Sequence, residues 1–317
     1  MAEQRLDAAS DTVHWGFFDA TLKPLLTVDS GETVTISSVS GGKDQLPPPG
    51  SPFLPLPKPL ADIHEKVQPK LGPHILTGPV AVRGAKAGDV LEVRIKKIDL
   101  HYGWGYNMFR PLSGALPDDF KEKRCIHISL DSKRMVGTMP WGLELPLKPF
   151  FGIMAVAPPP QWGAISTIPP RRNGGNLDNK ELIAGTTLYL PIHVDGALFS
   201  CGDGHAAQGD GEVNVNAIET GLIGTFELHV RKDMKLEWPI AETPTHVMTM
   251  AFDPDLDDAV VIALRDMLSL IVARTTLTRE EAYALCSMAA DLRVTQVVNQ
   301  SKGIHVMLDK NYLIPPR

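Results

Sequence analysis

Residues 79–95 read PVAVRGAKAGDVLEVRI: the run Pro79-Val80-Ala81-Val82, a turn through Ala87-Gly88-Asp89, then Val90 to Ile95 with apolar and charged side chains alternating. A period of two puts one face of that last run against a core, and Gly-Asp is turn chemistry, so the stretch predicts two strands joined by a turn. The pattern repeats upstream. Leu25-Leu26-Thr27-Val28 leads through Asp29-Ser30-Gly31 to Thr33-Val34-Thr35-Ile36-Ser37, rich in β-branched residues. Downstream, short turn-bounded runs predict strands at 125–130, 151–157, 186–191, 197–201, 213–218 and 225–230, with no β-α-β alternation among them. Helical periodicity emerges only after residue 250. Asp253-Pro254 supplies a cap and a first-turn proline for a helix over 256–274, and Thr278 with Glu281 forms a capping box for a second. A last strand is expected over 304–308. The reading is mainly β with some α, ending in a helical hairpin.

Residues 47–59, PPPGSPFLPLPKP, hold seven prolines, which cannot donate ladder hydrogen bonds, so a surface crossing or lid is expected there. The 317 residues carry 31 Lys+Arg against 37 Asp+Glu, a net charge of −6, which argues against general basic nucleic-acid binding. The uncharged run 149–170 contains six prolines, which exclude a membrane helix. Three distant cysteines suit a reducing compartment, and residues 1–10 lack an apolar signal segment. A cytoplasmic protein with neither nucleic-acid nor membrane partners is the expectation.

The densest chemistry is FSCGDGHAAQGDGE at 199–212. If the strand from Ala197 continues, Cys201, Asp203 and His205 share a face, and Gln208 to Gly211 reverses the chain so that Glu212 heads the next strand beside them. Asp203, His205 and Glu212 are then candidate metal ligands, with Glu212 or Asp210 as general base. Three ligands and an open position suit hydrolytic zinc, while the carboxylates also admit calcium. Two alternatives stand: Cys201 as a nucleophile beside His205, and a non-catalytic β-sandwich module holding structural calcium. Residues 171–178, RRNGGNLD, form a polar loop able to offer amide donors and a carboxylate to a small ligand.

In order along the chain, TVDSGETV, HILTGPVAVRGAKAGDVLEV (74–93), GWGYN (103–107) and the long segment 173–213 with GDGHAAQGDGE closely resemble the acetamidase/formamidase family. The resemblance runs from about residue 13 to 230 and is weaker beyond. It implies barrel- and sandwich-like β subdomains, roughly 10–160 and 161–250, an α+β part at 251–317, and one catalytic domain over the whole chain. It also implies hydrolysis of carbon–nitrogen bonds in small linear or cyclic amides (formamide, acetamide or γ-lactam type), and a homo-oligomer. Its acidic and histidine positions fall on Asp203, His205, Asp210 and Glu212, with Asn176, Asp178 and His74 expected to bind substrate. Gly204 and the segment Lys148-Pro149-Phe150-Phe151-Gly152 depart from the family pattern, and Trp104, Trp141 and Trp162 suggest a pocket for a bulkier amide.

Overall fold

A computed structural model describes residues 4–313. The strands that position the site are β1 (Glu32–Ser37), β2 (Ile75–Val82), β3 (Val90–Leu100), β4 (Trp104–Phe109), β5 (Arg124–Asp131), β6 (Phe150–Ala155), β7 (Gly174–Asn176), β8 (Thr187–Pro191), β9 (Phe199–His205), β10 (Glu219–Thr220) and β11 (Leu222–Arg231). After them come β12 (Ile240–Glu242), β13 (His246–Asp253), β14 (Asp291–Asn299) and β15 (Ser301–Asp309). Helices are α1 (Lys58–Lys66), α2 (Leu256–Arg274) and α3 (Arg279–Ala289). One sheet of nine strands runs from Gln4–Leu6 through β1, β11, β3, β8, β12, β13 and β15 to β14. The other, of eleven, has the path β5-β4-β10-β9-β6-β7 at its centre, with β2 also paired to β9.

The β-rich expectation holds, and no pairing among the described residues closes a barrel. Apolar side chains of both sheets fill one core, in which Phe226 of β11 meets Phe151 of β6 and Phe199 of β9 edge-on, at 5.4 and 5.6 Å between ring centroids. Each fully buried ring contributes roughly 1.5–3 kcal/mol, which binds the sheets as a sandwich. Both sheets draw strands from either side of residue 160, so the expected division there is not a sheet boundary, and β14 and β15 extend the nine-stranded sheet. Parts of the 1–10 and 251–317 expectations, residues 1–3 and 314–317, lie outside the described residues.

The helical hairpin forms as expected, with one correction. The cap of α2 is Asp255, which accepts from the Asp257 N–H, so Pro254 lies before the helix rather than in its first turn. Ala259, Ala263, Met267 and Ile271, spaced by four, bury one stripe against Val247, Ala251, Ile304 and Val306. The Thr278 and Glu281 capping box of α3 is complete. Helix α1 escaped the proline reading. Pro59 sits in its first turn, where no N–H is required, and Leu60 and Ile63 bury its inner face. The expected strand at 213–218 is instead a turn: Asn216 N–H donates to Asn214 Oδ1, and Asn216 Oδ1 accepts from Met108 N–H. Asparagine side chains there take the hydrogen bonds that a ladder needs. Among the described residues no helix is long and apolar enough to cross a membrane.

Candidate active site

The eleven-stranded sheet lays a row of side chains across four strands. Tyr106 of β4 pairs with Glu219 of β10, Glu219 with His205 of β9, and His205 with Phe150 of β6. Phe150 meets the His205 ring edge-on at 5.1 Å and holds its plane. Asp203, two residues before His205, has φ +55°, while Asp178 and Glu212 have φ +45° and +44°. Three non-glycine carboxylate residues in the left-handed region, all in one cluster, mark strain held at a functional site. Gly152 on β6 makes room for them: a Cβ there would stand 2.7 Å from Asp178 Oδ1, 2.7 Å from His205 Cε1 and 2.9 Å from Asp203 Oδ2.

A chain of hydrogen bonds orients the imidazole. Gln208 Nε2 donates to the Asp178 carbonyl at 2.7 Å, so Gln208 Oε1 faces His205 Nδ1 at 2.9 Å and accepts its proton. In the neutral ring Nε2 then presents its lone pair to the cluster. Around it stand Glu219 Oε2 at 3.3 Å, Asp203 Oδ2 at 3.4 Å and Glu212 Oε1 at 3.9 Å. His205 Nε2, Glu219 Oε2 and Asp178 Oδ1 are buried and have no hydrogen-bond partner among the described residues. Glu219 is fixed from behind, its Oε1 accepting from Ala217 N–H at 3.1 Å. Asp178 Oδ2 accepts from Asn299 Nδ2.

Electrostatics show how the cluster shares its protons. Burial pushes the Asp178 carboxyl up to about 7, against the opposing pull of His205 and helped by Asp203. Burial, reinforced by Asp178, raises Glu212 well above the carboxylate range, and burial raises Glu219. Burial opposes the charged form of His205, but Glu219 and Asp203 overcome it and hold the imidazole well above its ordinary value. For Asp203 burial is likewise outweighed, by His74 and His205, and its carboxyl stays low. Four carboxylates thus share one buried imidazole, with the neutral forms of Asp178 and Glu212 and the charged form of His205 favoured.

The donor set fits a metal. Ligands ~2.0–2.2 Å from a tetrahedral zinc lie about 3.3–3.6 Å from one another, which matches the Glu219 and Asp203 separations from Nε2. Two triads bring ligand atoms within 4.8 Å of each other: Asp178, Asp203 and His205, and His205, Glu212 and Glu219. An imidazole nitrogen among the donors favours a transition metal over calcium, which prefers oxygen throughout.

Above the cluster lies a cavity of about 140 Å³ lined by His74, Tyr106, Asn176, Glu212, Glu219 and Asn299 among others. His74 Nδ1 meets Thr167 Oγ1 at 2.8 Å, and its Nε2 stands 3.9 Å from Asp203 Oδ2. Asn176 Nδ2 donates to the Ile168 carbonyl, leaving Oδ1 buried without a partner.

Of the residues singled out in the sequence, Asp203, His205, Glu212, His74, Asn176 and Asp178 therefore converge. Asp210 does not. It is exposed and pairs with Lys180 Nζ at 2.9 Å, so the general-base role expected for it has no pocket to act in. Glu212 arrives from a turn rather than a strand. Cys201 lies in the main core, off the cavity lining, and burial pushes its thiol far up, which removes it as a nucleophile. The expected shared face fails because the left-handed Asp203 breaks the alternation of β9.

Gly204 does not enlarge the cavity; a Cβ there would meet the Thr220 carbonyl at 2.5 Å, so it serves strand approach. None of Trp104, Trp141 and Trp162 lines the cavity. Sequence reasoning missed Glu219 and Asn299. Glu219 in AIETG carries no motif, and only its cross-strand pairing with His205 reveals it. Asn299 comes from β14, whose Gln296 bridges to Gly211 beside Glu212.

Comparison with known proteins places this architecture. An acetamidase of Mycolicibacterium smegmatis is 30% identical over 221 residues, covering 50% of this chain and 53% of that protein. The chain spans about half the length of the curated relatives it matches. A crystal structure of an acetamidase from Bacillus halodurans is 33% identical, with a TM-score of 0.84 over 97% of this chain and 98% of that one. A predicted acetamidase/formamidase from Thermoanaerobacter tengcongensis is 28% identical, with a TM-score of 0.85 over 98% of both. The model of the Acetamidase/Formamidase family matches residues 61–162 and 161–308, and the chain belongs to that family.

Proposed function

We propose that the protein hydrolyses the carbon–nitrogen bond of small amides with water, at a divalent metal, zinc first, held by Asp203, His205 and Glu219. The observation that carries this reading is the unpartnered His205 Nε2 facing three carboxylates at the floor of a solvent-reaching cavity. When bound, the metal supplies a Lewis acid and lowers the pKa of water toward neutrality.

The chain's own residues supply the rest. Glu212, at the longest of the three separations, is the general base: its carboxylate lines the cavity without being one of the three ligands. It takes a proton from the water that attacks the amide carbonyl, then returns it to the nitrogen, which leaves as ammonia or amine once protonated. Asn176 Oδ1 accepts from the substrate N–H and sets the plane of the amide. His74 is kept neutral by burial. With Thr167 donating to its Nδ1, the Nε2–H faces the cavity and stabilises the oxyanion of the tetrahedral intermediate. The cavity, of about 140 Å³, suits formamide, acetamide or a compact cyclic amide.

Glu212→Gln keeps shape and removes the base, so kcat should fall roughly 10²–10⁴-fold while the folded signal remains. An unchanged kcat assigns the base elsewhere.

A further inference from the structure

The floor of the cavity is acidic, yet one residue at its edge has the opposite sign. Arg110 directly follows β4, and it lines the cavity together with Tyr106 of that strand. It is exposed, and among the described residues it is the only lysine or arginine in that lining. No hydrogen bond or ion pair among the described residues engages its guanidinium. Asp44, whose carboxyl feels the Arg110 charge, is already held by Lys123 Nζ at 2.6 Å. Ile75, Ile168, Val215 and Val298 add apolar surface to the same lining.

We infer that Arg110 selects the substrate, and that the preferred amide carries a carboxylate at the end remote from the bond to be cleaved. This rests on the amide-hydrolase reading above and names its substrate class. The lining offers a partner to each part of such a molecule: acidic residues for the amide end, apolar side chains for a short methylene chain, and a guanidinium fork for the anion. A charge-assisted pair with the guanidinium is available only to an anionic substrate. A simple amide such as acetamide leaves Arg110 unused.

The test compares succinamate with succinamide, which have the same skeleton and differ by a carboxylate in place of the second amide. The metal-loaded wild-type protein should show kcat/KM for succinamate above that for succinamide by roughly ten- to a hundredfold, and Arg110→Gln should bring the ratio near or below one. Arg110→Lys should recover part of it, because it restores charge without the fork. A wild-type ratio of one or less overturns the proposal, as does a ratio unchanged in Arg110→Gln. Loss of turnover on every amide would refute the hydrolase reading separately. Calorimetric titration then decides on Arg110 alone: succinamate binding tenfold or more tighter than succinamide in wild type only supports it, and equal binding overturns it.

Discussion

The α2–α3 hairpin and the carboxylate cluster obey opposite rules. In the hairpin every local preference agrees: caps are filled, apolar residues recur at helical spacing, and Ala259, Ala263, Met267 and Ile271 bury against the sheet. In the cluster nearly every preference is violated. Three carboxylate residues adopt positive φ, four carboxylates are buried, and His205 Nε2 has no partner. The first region spends its sequence on stability, and the second holds backbone strain and unpartnered buried polar groups, as functional sites do.

The contrast breaks first at the ligands. Replacing His205 or Glu219 by Ala should abolish stoichiometric metal and lower affinity by more than the roughly 10–100-fold that outer partners cost. Full metal content in both variants, read by elemental analysis, would dissolve the proposed ligand set. Gly152→Ala comes next. Its methyl would enter the space of Asp178, His205 and Asp203, so metal and turnover should fall together, although the change is a single carbon. Gln208→Ala removes the acceptor that fixes the His205 tautomer, and a drop of about 10–100-fold in metal affinity is expected.

A pH series sharpens the same distinction. The Asp178 carboxyl is raised from 3.8 to about 7, so folding favours its neutral form. That contribution is complete below about pH 4 and is lost as pH rises through about 7. The Tm of chelated protein should therefore fall between about pH 4 and pH 7, and the Tm gained on adding zinc should grow over that range. A metal-induced gain that is flat with pH would contradict the account. The smallest effect belongs to the hairpin: Thr278→Ala should cost about 1 kcal/mol of stability and leave metal content untouched.

The legibility of the sequence follows this division. Alternation in 79–95 and the capping box at Thr278 are local signals, and the strands and hairpin formed close to where those signals pointed, with α2 capped by Asp255 rather than by the expected Asp253. The segment from Asp203 to Glu212 was legible as chemistry because its residue types are dense, but its geometry was not. A single left-handed residue at 203 ended the strand alternation that had grouped Cys201 with it. Asp210 looked equivalent to Glu212 in sequence, and Lys180, thirty residues away, captured it. Glu219 and Asn299 reach the site through cross-strand register and through a hairpin near the end of the chain, neither of which leaves a local trace.

The central claim is that the cluster is a metal centre for amide hydrolysis. It is tested most directly by measuring turnover of formamide, acetamide, a bulkier linear amide and a bicyclic γ-lactam on protein whose metal content is assayed before chelation, after it, and after zinc is restored. The account predicts activity on at least one amide that disappears with the metal and returns with zinc. Undiminished turnover in protein verified to be metal-free would contradict it.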